Sequence, residues 1–146
     1  MRGFYHPNTF SDLAHVRAAL CTIEDGKIAS VARAIDGHPH WLNEFRRDNR
    51  LGMSPRFMKK LVPQVMPGLQ YGMVWDQDLK RDLEILRQAL RRKKEDEGLS
   101  FKNIEQASFT RVVNFLAGGG LSLDAMKRLT PYVLPGMTYG FIDRRG

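Results

Sequence analysis

His40, Asn43, Glu44 and Arg47 follow one another at intervals that place them on one side of a helix. Their side chains are equipped for directional hydrogen bonding rather than bond cleavage. An asparagine offers a donor and an acceptor together, the pattern that matches an adenine edge, and an arginine fork matches guanine or a phosphate. His38 and Pro39 come just before, where imidazoles beside free backbone N–H groups suit an anionic oxygen. Arg46 lies next to Arg47, while Trp41, Leu42 and Phe45 occupy the opposite side. A second set, Ser108, Thr110, Arg111 and Asn114, stands in the same relation to Phe109, Val112, Val113 and Leu116. The sequence offers no phosphate loop, nucleophile elbow or paired carboxylates in a catalytic setting, so no catalytic residue and no enzyme are expected. Two histidines with one distant cysteine, Cys21, fall short of a zinc site. No metal and no cofactor are expected.

What must position these residues is a duplicated unit. Residues 58–74 read MKKLVPQVMPGLQYGMV and residues 126–142 read MKRLTPYVLPGMTYGFI, identical at nine of seventeen places. Asp12, Arg17 and Phe45 recur as Asp82, Arg87 and Phe115 at an offset of 70, which falls to 68 by Met58 and Met126. Two tandem units follow, 1–76 and 77–146. Each is near the lower size limit for folding alone, so the two are expected to lean on each other.

Within the first unit, Leu13, Val16, Leu20 and Ile23 recur at helical spacing after Ser11, and Glu24-Asp25-Gly26 ends that helix. A short helix follows over 28–35. Asp36-Gly37-His38 is a turn, and Pro39 opens a third helix reaching about Asp48. Ser54-Pro55 begins a fourth, which Pro63 should end or kink. The second unit repeats the plan, with a helix from about Gln77 to Glu95, a weaker one after Ser100 using Phe101 and Ile104, a third from Ser108 stopped by Gly118-Gly119-Gly120, and a fourth through Leu123, Met126 and Leu129. No segment reads as a strand. The expected class is all-α, two tandem four-helix units.

The segment from Val31 to Phe45 resembles the helix-turn-helix of phage-type repressors and Cro-like regulators. Val31, Ala32, Ile35, Leu42 and Phe45 stand at the spacings that family uses to pack its first motif helix across the second. Asp36 before Gly37 departs from the family, which places glycine first in the turn. In the second copy Glu105 falls where an apolar residue is expected. The resemblance implies a lambda-repressor-like unit whose third helix enters the major groove, present twice, like a fused dimer with recognition helices about one DNA turn apart.

The charge fits a polyanionic partner. Lys and Arg number 23 against 16 Asp and Glu, a net +7 and a pI near 9.9. Arg50, Lys59, Lys60, Lys127 and Arg128 are candidates for gripping a phosphate backbone. One cysteine, no apolar leader and no membrane-length apolar run lead to the expectation of a cytoplasmic protein, in a bacterial cell or a phage-infected host. The function expected is sequence-specific binding of double-stranded DNA to regulate transcription for a phage or mobile element, as a single chain or a homodimer. A small terminase-like packaging or recombination accessory, and a helical protein-interaction module such as an antirepressor, remain the alternatives.

Overall fold

The computed structural model describes residues 7–74, 78–98 and 109–143. Among them are seven α-helices and two short strands: α1 (Pro7–Cys21), α2 (Ile28–Ala34), α3 (Pro39–Arg47), α4 (Pro55–Val65), β1 (Leu69–Gly72), α5 (Leu79–Glu97), α6 (Phe109–Leu116), α7 (Leu123–Val133) and β2 (Gly140–Asp143). The helices start where polar side chains can take up free N–H groups. Ser54, Asp78 and Ser122 accept from the amides of Phe57, Arg81 and Ala125. Gly98 closes α5 with φ of 63°, a left-handed residue where a side chain would be strained. The helix expected after Ser100 lies outside the described residues.

One expectation needs correction. The chain is not all-α with two four-helix units, because β1 and β2 form a two-stranded antiparallel sheet. These strands are four residues long and each finds its partner about seventy residues away, so neither carries a local alternating signal. The fourth helices end soon after their prolines: α4 runs two residues past Pro63 to Val65, and α7 two past Pro131 to Val133. Each proline stands in the last turn, where its missing N–H removes one helical bond to the carbonyl four residues back.

The sheet carries the symmetry of the duplication. Leu69 pairs with Asp143, Tyr71 with Phe141, and Gly72 with Gly140. Gly72 and Gly140 are equivalent residues of the two copies, so a pseudo-two-fold axis runs between them. Around it the helices mix: α4 packs on both α1 and α5, and so does α7. One continuous core results, from Leu13, Val16 and Leu20 through Phe45, Met58 and Leu61 to Leu86, Leu90, Phe115, Met126 and Tyr139.

At the axis sit two ion pairs that exchange partners between the copies. Lys59 Nζ lies 2.6 Å from Asp82 Oδ2 and donates to the carbonyl of Tyr71 at 2.9 Å. Lys127 Nζ lies 2.5 Å from Asp12 Oδ2 and donates to the carbonyl of Tyr139. The tyrosines close the ring: Tyr71 Oη donates to Asp12 at 2.6 Å and Tyr139 Oη to Asp82 at 3.1 Å. Their rings meet edge-on, 5.6 Å between centroids. Burial raises the phenol pKa values above their ordinary range, the neighbouring carboxylates adding to the effect, so both tyrosines stay protonated donors. Burial also raises the Asp82 pKa, against the pull of the Lys59 and Tyr139 hydrogen bonds.

Glycine at the axis is a spatial necessity. Gly72 has φ of 151°, and a Cβ there would overlap Lys59 Nζ and stand 3.1 Å from Asp82 Oδ2. Gly72→Ala should therefore lower stability by about 1–3 kcal/mol, whereas Gly26→Ala, with no atom near its added carbon, should change it by less than about 0.5 kcal/mol. Denaturant melts of the two variants check this.

Removing one ion partner should cost more. Lys59→Met leaves Asp82 buried without its counter-charge, and a loss of about 3–5 kcal/mol is expected. Lys59→Met combined with Asp82→Leu should recover most of it. A single variant as stable as the parent would show that the pair is not needed.

Candidate functional site

The helix-turn-helix segment is fixed at the turn, at the start of α3 and at its end. After α2, the N–H of Asp36 bonds Arg33 O at 3.2 Å and the N–H of Gly37 bonds Ala32 O at 2.8 Å. Asp36 itself is left-handed, with φ of 57°. These are the two bonds of a Schellman stop, with aspartate where glycine is usual. Lys60 on α4 bonds the Asp36 carboxylate at 3.0 Å and holds the turn from outside. Beyond it, His38 caps α3, its Nδ1 accepting from the amide of His40 at 3.1 Å, and Pro39 fills the first helical position.

The far end of α3 is clamped by α1. Arg17 Nε donates to Phe45 O at 2.7 Å and its Nη2 to Leu51 O at 2.9 Å, while the guanidinium lies 4.3 Å from the Phe45 ring centre. Arg87 repeats this in the second copy, donating to Phe115 O and Gly119 O, both at 2.7 Å. Phe45 and Phe115 differ by 70, and Leu51 and Gly119 by 68. The two missing residues were thus lost between the end of the third helix and the loop behind it. Sequence reading aligned Arg17 with Arg87 but gave them no task; recurrence of a charged pair inside an apolar stripe was the available signal.

With both ends held, α3 turns Leu42 and Phe45 inward, both fully buried. Trp41 is half-buried and packs on Phe57, 5.2 Å between ring centres. His40, Glu44 and Arg47, at i, i+4 and i+7, form the exposed stripe. His40 Nε2 and Glu44 Oε1 are 3.0 Å apart, with side chains 74% and 55% exposed. Asn43 lies on the flank, half-buried, its Oδ1 accepting from Arg46 at 3.0 Å. Arg46 reaches on to Asp25 at 3.1 Å, so it braces the helix. Pro39 is half-buried and His38 exposed.

The second set is only partly within view. Ser108 lies outside the described residues. Thr110, Arg111 and Asn114 are exposed on α6, and Arg111 reaches Ser122 Oγ at 3.5 Å. Gly118 and Gly119 form a Schellman stop for α6, bonding Phe115 O and Asn114 O. A groove of about 580 Å³ joins the two copies, lined by Trp41, Phe57, Arg111 and the starts of α4 and α7.

The five residues expected to grip phosphate all have carboxylate partners. Lys59 and Lys127 face inward, their side chains 10% and 8% exposed, so the expectation fails for them: their charge is committed at the axis. Lys60 pairs with Asp36 and Arg128 with Asp124 at 3.2 Å. Arg50 makes a two-pronged bond to Asp48 at 2.9 and 3.0 Å, which holds the Asp48 pKa down at about 2. Exposed cations that the sequence alone does not single out include Arg33 on α2 and Arg56 at the start of α4.

Comparison with protein-family models, with curated proteins and with solved structures finds no match. The chemistry of this face therefore follows from its own residues. Because Asp36 adopts a conformation that costs side chains about 1–2 kcal/mol, Asp36→Val should destabilise by about that much, and Asp36→Gly should be neutral or stabilising despite losing Lys60. Melting temperatures of the two variants test the turn directly.

Proposed function

We propose that the chain is a sequence-specific double-stranded DNA-binding regulator of transcription, serving a phage or other mobile element, with α3 in the major groove and α6 as the second contact helix. The observation that carries this reading is the exposed His40, Glu44 and Arg47 stripe on a helix fixed at both ends. A reading helix has to hold its orientation against the duplex, and the Schellman turn, the His38 cap and the Arg17 clamp supply that rigidity. A helix with side chains is about 10–12 Å across and the major groove about 12 Å wide, so the dimensions agree.

Within this reading Arg47 contacts guanine or a phosphate, and His40 and Glu44 meet base edges. Asn43 contributes through its amide N–H groups, since its oxygen already accepts from Arg46. Arg33 and Arg56 take the phosphate role first given to Lys59 and Lys127. Among the described residues no helix is long and apolar enough to cross a membrane. A cytoplasmic place, where DNA is reached and one cysteine stays reduced, belongs to the same proposal.

Arg47→Ala should weaken specific binding by about 1–3 kcal/mol and leave the melting temperature unchanged. Gel shifts on a selected duplex at two salt concentrations, beside a thermal melt, measure both. A variant that binds every duplex as the parent does would remove α3 as the reading element.

A further inference from the structure

The duplication kept its interior and changed its exterior. At the axis and the clamps the equivalent residues are identical: Asp12 and Asp82, Arg17 and Arg87, Phe45 and Phe115, Lys59 and Lys127, Tyr71 and Tyr139, Gly72 and Gly140. On the exposed stripes none agree. His40, Glu44 and Arg47 on α3 stand against Thr110, Asn114 and Ala117 on and just after α6. On the flank, half-buried Asn43 faces the place of Val113, which is 43% exposed.

Charge is distributed differently as well: Arg91, Arg92 and Lys94 on α5 stand where the first copy has Cys21, Thr22 and Glu24. Exposed Arg56 at the start of α4 corresponds to Asp124 at the start of α7. Arg46 and Arg47 lie in the last turn of α3, and α6 has no basic residue in its last turn. Beyond α3 the loop carries Arg50, where the shorter loop after α6 is glycine. Trp41, which covers Phe57 in the first copy, is replaced by Arg111, directed at Ser122.

Resting on the DNA-binding reading, we infer that the target duplex is non-palindromic, read by unlike faces on its two sides. A pseudo-two-fold scaffold with identical faces would select two equal half-sites. This scaffold presents His40, Glu44 and Arg47 on one side of its axis and Thr110, Asn114 and Ala117 on the other.

Selection of binding sites from random duplexes by the full chain, followed by affinity measurements over a sodium chloride series, tests the inference. The expected motif is asymmetric. Arg47→Ala and Arg56→Ala should each reduce the salt slope by about one, the contribution of a single phosphate contact. Asn114→Ala should leave the slope alone and weaken binding roughly 5- to 150-fold, and only for duplexes carrying the second half-site. Ala117→Arg should raise the slope by about one. A palindromic motif with equal half-sites overturns the inference while leaving DNA reading in place. Failure to enrich any sequence removes the DNA reading and the inference together. Thermal melts of each variant separate lost contacts from lost folding.

Discussion

A lysine withdrawn from water must be met by a carboxylate, and at the axis of this chain that carboxylate belongs to the other copy. Lys59 meets Asp82 and Lys127 meets Asp12, so neither copy can satisfy its buried charge within itself. A tyrosine hydroxyl and a backbone carbonyl take up further hydrogen-bonding capacity at each site. Sheet pairing, glycine at the axis and the shared core all serve this exchange. Apolar contact alone tolerates sliding, whereas two crossed ion pairs with fixed donors specify one register of the halves.

The same geometry accounts for what could and could not be seen in the sequence. Helices α2, α3 and α4 were legible because their signals are local: Pro39 and Ser54-Pro55 open them, and apolar residues recur at helical intervals. The duplication was legible because it repeats whole words. The strands were not, since β1 makes sense only beside β2, and pairing across seventy residues leaves no nearby trace. For the same reason Lys59 and Lys127 looked like surface cations. Their identity as an exact repeat was visible, but a repeated lysine beside an apolar stripe reads equally as a solvated residue or as one half of a buried pair.

The turn of the motif shows how a departure from pattern is absorbed. Aspartate tolerates the left-handed region better than most residues, because its short side chain bonds locally. Here that carboxylate is also placed to meet Lys60 from the next helix. The position usually given to glycine for freedom is given instead to a residue that ties the turn to α4. Of the stripe on α3, periodicity alone places His40, Glu44 and Arg47 outside, whereas the half-buried state of Asn43 is visible only in the fold, where Arg46 bonds both Asn43 and Asp25.

Covalent joining of the copies is what allows their outer faces to differ. In a homodimer every surface residue appears twice, and any change to one reading helix alters both. When the halves share a chain, their interface forms at a high effective concentration and no longer depends on subunit supply. The exposed residues of α3 and α6 are then free to vary separately, while the buried ones are not: a change at Lys59 leaves Asp82 uncompensated, and a change at Gly72 displaces both. Fixed interior and divergent exterior follow from one cause, the coupling of charge across the axis.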